Sequence, residues 1–439
     1  MFRPPTLHPS AAQRAIGRNL ALDLVAAIGV GVSMALVSAL LPTIARRGGL
    51  DPIGLSALAA APFVANLLGA FAGRFGPRSP AQLAVIRGAG AASLVALFVV
   101  PLPPVMILVS LTFWISLAFG SPFHLRLWGV MYPARLVGRV VGVIGMGRAA
   151  SGALAAFGGG IVADRLGGPT AVAAAGIIGL ACAFAYAGLR ARAAAQPPAF
   201  SARGSLQALR DQPILARITL AQGFYGGGLI AATPLYALVH VDRLDLSLAD
   251  VGVIGILAAA STTLAFLLWG ALSDRFGPFV GLWAGTPLGV ASLLAYAVAP
   301  NVAVLWLAAI GAGIASAAID VGLTSTMTAH APLATRSAAY AGLNAMTGAR
   351  GIVAAFLMSG LLQLGLVDVT SGLLVCAVSS CLGVVLYART AASISPRGLR
   401  SAPAAVPGAM MPATPAGPSS ATPSGSVAAG VAARSGAPG

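Results

Sequence analysis

GALSDRFGPF at residues 270–279 repeats, at an offset of about 200 positions, the sequence GAFAGRFGPR at residues 69–78. Six of the ten positions are identical, namely Gly69/Gly270, Ala70/Ala271, Arg74/Arg275, Phe75/Phe276, Gly76/Gly277 and Pro77/Pro278. A weaker match in the same register pairs Gly142 with Gly342, Met146 with Met346 and Gly160 with Gly360. The sequence therefore predicts two related halves.

Apolar residues make up 58% of the 439 residues and charged residues only 8%, whereas a soluble domain carries roughly a quarter charged residues. This composition excludes a soluble enzyme and predicts an integral membrane protein. Every basic residue is an arginine, and the 26 arginines outnumber the 10 acidic residues, which gives a formal net charge of +16. The arginines fall between long apolar runs, as in the loops of membrane proteins, which argues against a nucleic-acid partner.

The residue types needed for metal or nucleotide chemistry are sparse. Cys182, Cys376 and Cys381 lie inside apolar runs without the paired spacing of a zinc or redox site, so we expect no disulfide, metal or cofactor. The chain has no lysine, so a phosphate-binding loop of the P-loop type cannot form and ATP hydrolysis by this chain is excluded.

Twelve apolar stretches are long enough to cross a bilayer, which takes about 20 residues in a helix. The basic N-terminus precedes an apolar run too long for a signal-peptide core, so we expect an uncleaved first span. The predicted spans are 20–42, 54–73, 81–101, 104–131, 140–163, 170–189, 214–239, 250–272, 279–299, 302–329, 338–365 and 367–388. The predicted fold class is an all-α membrane protein.

The arginines also predict the topology. When the spans alternate sides, 19 of the 26 arginines, Arg87 among them, are assigned to one side and four to the other. Since basic loops stay in the cytoplasm, both termini are expected there. We divide the chain into a cytoplasmic N-terminus (1–19), an N-terminal six-helix bundle (20–189), a cytoplasmic linker (190–213), a C-terminal six-helix bundle (214–388) and a disordered cytoplasmic tail (389–439) rich in Ala, Pro, Ser and Gly.

GALSDRFGPF resembles the G-x-L-x-D-R-x-G-R/K signature of the major facilitator superfamily, here between helices 8 and 9, and residues 69–78 occupy the matching place between helices 2 and 3. The resemblance covers roughly residues 14–390. It implies two pseudo-symmetric bundles that rock around a central site, as in secondary transporters built from repeats. We therefore expect a multi-pass protein of the bacterial inner (plasma) membrane, monomeric, whose partners are a small-molecule substrate, protons and the lipid bilayer.

The resemblance also implies roles for the signature residues. Asp274 would latch the cytoplasmic gate by pairing with Arg139 or Arg336 or a helix N-terminus, Gly270 would allow close helix contact and Arg275 would stay at the membrane surface. The first copy departs from the pattern because Gly73 replaces the aspartate. The expected gate set is Gly69, Arg74, Gly76, Gly270, Asp274, Arg275 and Gly277. A second likeness, AspArgLeuGly at 164–167, falls on the outer side, and we interpret it as coincidence.

Ionisable residues inside a span are costly and are functional candidates by default. Asp23 and Arg126 lie at similar depth, about 8 Å from the cytoplasmic ends of helices 1 and 4. They are candidates for proton coupling, with an Asp pKa tuned by a nearby Arg. A static interhelical ion pair, or an Asp23 that snorkels to the headgroups, explains them equally simply.

Asp320 is the third candidate for proton coupling, and Arg350 lies at similar depth. An Asp320–Arg350 pair is the simple structural explanation for both. Arg148 then has no evident carboxylate partner and becomes the candidate for holding an anionic substrate group, against a structural role at helix-end carbonyls. Arg350, His124, Asn66 and Asn344 are further candidates for the substrate cavity, although hydrogen bonds between helices would account for His124 and the two asparagines too.

The predicted function is secondary active transport of a small molecule by alternating access, coupled to protons. We favour efflux of an amphipathic or drug-like compound, because the interior is small and apolar, although helix 5 lacks the proline of the exporter motif. Uptake or exchange of a small organic anion is the alternative. A receptor that uses the same fold without transporting anything is the alternative from a different class, and an enzyme is not expected.

Overall fold

A computed structural model describes residues 11–69, 77–190, 202–332 and 335–393. Twelve helices in this part of the chain are long and apolar enough to cross a membrane, which confirms the predicted all-α membrane fold. They are α1 (Gln13–Arg47), α2 (Pro52–Gly69), α3 (Pro80–Phe98), α4 (Pro103–Met131), α5 (Arg139–Leu166), α6 (Gly168–Gly188), α7 (Pro213–Arg243), α8 (Leu248–Phe276), α9 (Gly281–Val298), α10 (Val302–His330), α11 (Ala339–Gln363) and α12 (Val369–Ala392).

Several predicted features lie outside the described residues. They are most of the cytoplasmic N-terminus, residues 191–201 of the linker, Arg74 and Gly76 of the signature, and the tail from residue 394. The rest of the linker includes a short helix, Ala202–Arg210. Its Leu209 packs with Leu215, Met327 and Leu343, so the linker helix belongs to the core of the C-terminal half.

The helices begin at residues suited to helix starts. Side chains at the N-caps of α3, α8, α10 and α12 accept a hydrogen bond from the backbone N–H three residues later; these are Ser79, Ser247, Asn301 and Asp368. Proline stands in the first turn of α3, α4 and α7, where its missing N–H costs nothing. These capping residues and prolines fix where each of these spans begins.

The two halves meet through α5 packed on α8 and α2 packed on α11. Glycine makes both contacts possible. A Cβ atom at Gly252 would lie 2.5 Å from the carbonyl oxygen of Ala156, and one at Gly351 would lie 2.1 Å from the ring of Phe63. Backbones approach this closely only where a side chain is absent.

Among the described residues, the hydrophobic core that contains both halves lies toward one end of the bundle. One core cluster contains residues of both halves, such as Leu40 and Ile44 of α1 with Leu235 and Leu238 of α7. At the other end each half has its own cluster, around Phe123 in the N-terminal half and around Leu215 in the C-terminal half. We call the first the closed end and the second the open end.

Two π-helical turns flank the closed end, at Leu36–Leu40 in α1 and Val239–Arg243 in α7. They occupy matching places in the two halves. Such turns are frequently found at functional sites in helices, because they change which side chains face a neighbour. Here they extend α1 to Arg47, beyond the predicted end at residue 42, and bring the ends of α1 and α7 together.

Candidate functional site

A fully buried carboxylate forms the centre of the site in the N-terminal half. Asp23 of α1 has no exposed surface. Its Oδ1 lies 2.6 Å from Nε2 of His124 and its Oδ2 accepts a hydrogen bond of 2.6 Å from the Trp128 indole. His124 and Trp128 are four residues apart and so share one face of α4. The sequence analysis had selected Asp23 and His124 separately; the structure joins them.

Aromatic rings enclose this pair. The Tyr186 ring of α6 stands edge-on to His124 with ring centroids 5.0 Å apart, and Trp128 lies on its other side at 4.8 Å. Tyr132, which follows α4, is also buried. Burial, together with the negative charge of Asp23, raises the pKa of the Tyr132 hydroxyl, so it stays protonated at physiological pH. Little water is available to screen a charge on Asp23.

Arg126 is not the ion-pair partner of Asp23, contrary to the expected tuning of the aspartate by an arginine. Its guanidinium carbon lies 5.6 Å from the centre of the Phe123 ring. The physical reason is helical geometry, because Arg126 is two residues from both His124 and Trp128 and projects from another face of α4. His124 and Trp128 of α4 contact the Asp23 carboxylate instead.

The C-terminal half has a neutral counterpart. Asp23 and Gln222 are separated by 199 residues, and Tyr186 and Tyr387 by 201 residues. Gln222 of α7 is buried, and its side-chain oxygen accepts a hydrogen bond from Tyr387 of α12. An amide therefore stands where the first half has a carboxylate, and it cannot take up a proton at physiological pH.

Arg350 binds this amide residue and not Asp320, so the predicted Asp320–Arg350 pair is wrong. Nη1 of Arg350 donates to the backbone oxygen of Gln222, and its guanidinium lies against Gly226. Helix packing explains why the two residues do not pair. Arg350 extends from α11 onto the glycines of α7, whereas Asp320 lies on an exposed face of α10. Within the described residues Asp320 makes no hydrogen bond or ion pair.

Asp320 belongs instead to a polar stripe on α10. The stripe consists of exposed residues at four-residue intervals, Ser316, Asp320, Thr324 and Thr328. Hydrocarbon solvates such side chains poorly, so we expect this stripe to face a water-filled path. Asn66 of α2 and Asn344 of α11, the two amides expected at the cavity, are also exposed.

Arg148 of α5 is exposed as well. Its backbone oxygen accepts a hydrogen bond from Ser151, but in the described part of the chain its side chain forms neither a hydrogen bond nor an ion pair. A free guanidinium with five donors can bind a carboxylate or phosphate in two-point fashion.

The closed end is held by an ion pair between the halves. Nε of Arg46 lies 3.1 Å from Oδ1 of Asp242 and Nη2 lies 2.8 Å from Oδ2, a two-point contact. Beside it, Thr43 of α1 contacts His240 of α7, with 3.3 Å between Oγ1 and Nδ1. All hydrogen bonds that join the halves within the described residues lie toward this end.

A second contact at the closed end uses a helix N-terminus. Oδ1 and Oδ2 of Asp164, at the end of α5, accept hydrogen bonds of 2.9 and 2.8 Å from the backbone N–H groups of Leu248 and Ala249 at the start of α8. A carboxylate is stabilised there by the unpaired N–H groups and the helix dipole. Arg47 lies 3.9 Å from the same carboxylate. The AspArgLeuGly stretch at 164–167, interpreted as coincidence, thus contains a contact between the halves.

The signature residues lie at the open end and make few contacts. Asp274 is exposed and forms no hydrogen bond or ion pair with any residue the structure describes, Arg139 included, and the side chain of Arg336 lies outside the described residues. A Cβ atom at Gly270 would meet nothing within 4 Å, so the expected close helix contact there is not formed. Arg275 lies over Phe276 at 5.2 Å. Separation of the halves at this end accounts for all three observations.

Several residues of these sites were not singled out from the sequence. Trp128 is one of them, although its four-residue spacing from His124 indicated a shared face. Arg87 was counted with the loops, yet it lies inside α3 and only 8% of its surface is exposed. Its position within the predicted span 81–101 was the available signal. Asp164 gave no signal, because its partner is a backbone in the other half.

Comparisons with known proteins agree with this architecture. The model of the Major Facilitator Superfamily matches residues 24–355. Solved structures with a similar fold include the nucleoside transporter NupG (14% identity, TM-score 0.66, covering 85% of this chain and 98% of that one). A bacterial homologue of the human lysosomal transporter Spinster, in an inward-facing and occupied conformation, is similar at 16% identity and a TM-score of 0.60, covering 88% of this chain and 96% of that one. The human organic anion transporter MFSD10 is similar at 15% identity and a TM-score of 0.58, covering 88% of this chain and 100% of that one. No curated protein matches the sequence significantly.

Proposed function

The chain belongs to the major facilitator superfamily, and from this premise we propose that it is a proton-coupled secondary transporter whose proton site is the Asp23–His124 pair. Membership makes it a multi-pass membrane transporter of a small molecule. The proposal adds the coupling ion, the residues that bind it, the substrate class and the direction.

One observation carries the proton site: a fully buried carboxylate in hydrogen-bond contact with an imidazole. A carboxylate and an imidazole in direct contact can pass a proton between an oxygen and a nitrogen, which is what a coupling site requires. The second half has the neutral Gln222 at the matching place, which supports assigning the proton site to the N-terminal half alone. His124 keeps 11% of its side-chain surface exposed, which gives protons a route to the pair.

The first helix connects this pair to the closed end. Asp23 and Arg46 both lie on α1, and at 1.5 Å per residue about 35 Å of helix separates them. We propose that protonation weakens the hold of Asp23 on His124 and Trp128, which lets α1 tilt and strains the Arg46–Asp242 contact. A ligand or proton can shift the two states only by its differential affinity for them, and the pair supplies that difference.

For the orientation we propose that the open end faces the cytoplasm of a bacterial inner membrane. The excess of arginine on the loops of that end supports this placement. Both termini then lie in the cytoplasm, and the Arg46–Asp242 contact lies on the outer side.

For the substrate we propose export of an amphipathic or drug-like compound, supported by the small apolar residues of the helices and by the few polar groups on the α10 stripe. Uptake or exchange of a small organic anion is the second candidate, and the exposed, unpaired Arg148 favours it.

The test uses purified full-length protein in proteoliposomes. A panel of amphipathic drugs and organic acids is first screened on cells that express or lack the gene, to select a transported compound. Its movement is then measured with a pH gradient, without one and with an uncoupler. Transport that is faster and uphill with the gradient supports the proposal, whereas equal transport in the three conditions contradicts proton coupling.

A further inference from the structure

A small cavity lies inside the N-terminal half, between α1, α3, α4 and α6 and apart from the Asp23 carboxylate. Its volume is about 10 Å³, and its lining includes Arg87, Ser33, Tyr186 and the apolar side chains of Phe113 and Leu117. A cavity of this size holds about one water-sized particle. Its polar lining residues are Ser33, Arg87 and Tyr186.

Arg87 brings an incompletely bonded positive charge to this cavity. Its Nη2 donates to Ser121 at 3.1 Å, but its Nε is buried and has no acceptor. A Cβ atom at residue 120 would lie 2.7 Å from that Nε, so Gly120 opens the slot that the guanidinium fills. A buried donor without a partner costs free energy, and a charged one costs more.

No carboxylate of the described residues forms an ion pair with Arg87. Asp23, which influences Tyr186 electrostatically, accepts its hydrogen bonds from His124 and Trp128 instead. Arg148 adds a second positive charge within electrostatic range of Arg87. The positive potential at the cavity is thus unbalanced by any direct partner.

Tyr186 supplies a second donor. Its ring is held by His124, and its hydroxyl forms no hydrogen bond with the residues described by the structure. The Ser33 hydroxyl already donates to the backbone oxygen of Ala175 at 3.0 Å. A particle in the cavity would therefore accept hydrogen bonds from Arg87 and Tyr186.

We propose that this cavity binds a monatomic anion. Chloride is the anion used to test this. The charge of Arg87 favours an anion over water in a medium of low dielectric constant. The small volume favours a monatomic anion over a carboxylate, a phosphate or a sulfate. The site is separate from the proton pair and does not depend on the proposed function.

The first test measures thermal unfolding of the purified full-length protein in sodium chloride, sodium bromide and sodium gluconate at equal ionic strength. We expect a saturable rise in Tm of about 2 °C or more with chloride and bromide only, since a ligand of the native state stabilises it by mass action. Arg87→Gln should abolish the rise and Tyr186→Phe should weaken it. Arg165→Gln, a change at an exposed arginine of α5, should leave it intact. Equal Tm values in the three salts, or a full response in Arg87→Gln, would overturn the proposal.

A second test does not require a variant to fold. Crystals of the unaltered protein grown in sodium bromide should show an anomalous peak beside Nε of Arg87. A peak in that cavity supports the anion site. An ordered water without anomalous signal at that position overturns it.

Discussion

Oδ1 of Asp23 and Nε2 of His124 lie 2.6 Å apart at a position where Asp23 has no exposed surface. The contact joins α1, which continues to the closed end, with α4, which ends at the open end. Any change in the proton content of the pair therefore acts on the helix that also carries Arg46. This relationship is the physical basis of the coupling proposed above.

The Arg46–Asp242 contact predicts how the closed end responds to charge. Arg46→Asp should replace attraction by repulsion and shift the population toward a conformation with that end open, by about fivefold or less because the pair is partly exposed. The double variant Arg46→Asp with Asp242→Arg should restore the original population.

The measurement is the distance between spin labels on cysteines placed at Leu166 and Leu366, both exposed near the closed end, in a background without the native cysteines. Arg165→Asp is the matched control, since Arg165 is exposed at the same end outside the ion pair. An unchanged distance distribution in Arg46→Asp would show that this pair does not hold the halves together.

The glycine contact between α5 and α8 predicts a steric effect. A Cβ atom at Gly160 would lie 2.4 Å from the backbone oxygen of Leu248, whereas one at Gly158 would meet nothing within 4 Å. Gly160→Val should therefore lengthen the distance between the labels at the closed end, and Gly158→Val should not. Identical distance distributions in the two variants would rule out this contact as a determinant of the closed state.

The exposed guanidinium of Arg148 leads to a prediction about the charge of the substrate. Arg148→Ala should lower transport of an anionic compound about tenfold or more, the effect of losing a hydrogen bond to a charged group. Arg148→Lys should recover only part of it, because the planar fork is lost. Since Arg148 is exposed, the variants should insert and elute in gel filtration like the unaltered protein. Normal transport by Arg148→Ala, or its failure to insert, would count against an anionic substrate.

Asp368 predicts a pH-dependent contribution to stability. The hydroxyl and the backbone N–H of Ser371 donate to its carboxylate and lower its pKa. A carboxyl whose folded pKa lies below its unfolded value stabilises the fold above the unfolded value of about 3.9, and loses that effect as the pH falls through the folded pKa. Asp368→Ala should lower Tm at pH 7, and the difference should shrink toward pH 3. Asp368→Asn caps without titrating, so its Tm should differ from that of Asp368→Ala by an amount that does not change with pH. A constant gap between Asp368→Ala and the unaltered protein would contradict the assignment.

The fold followed from the sequence because long apolar runs and the repeat at 69–78 and 270–279 are local signals. The partners within the site did not. Helix α4 is apolar on most faces, so periodicity could not show that its His124–Trp128 face meets α1. Asp23 was identifiable as a charge in an apolar run, but its bond to His124 depends on tertiary packing. Asp164 and Asp242 lie at helix ends, and their partners in the other half depend on which end of the bundle is closed.

The most direct test of the account uses proteoliposomes that contain the Asp23→Asn variant and a compound transported by the unaltered protein. Two rates are compared in the same vesicles, accumulation driven by a pH gradient and exchange of labelled for unlabelled compound without a gradient. The account predicts that Asp23→Asn retains exchange and loses accumulation, because the neutral amide keeps the packing but cannot bind the coupling proton. Accumulation equal to that of the unaltered protein would contradict the account.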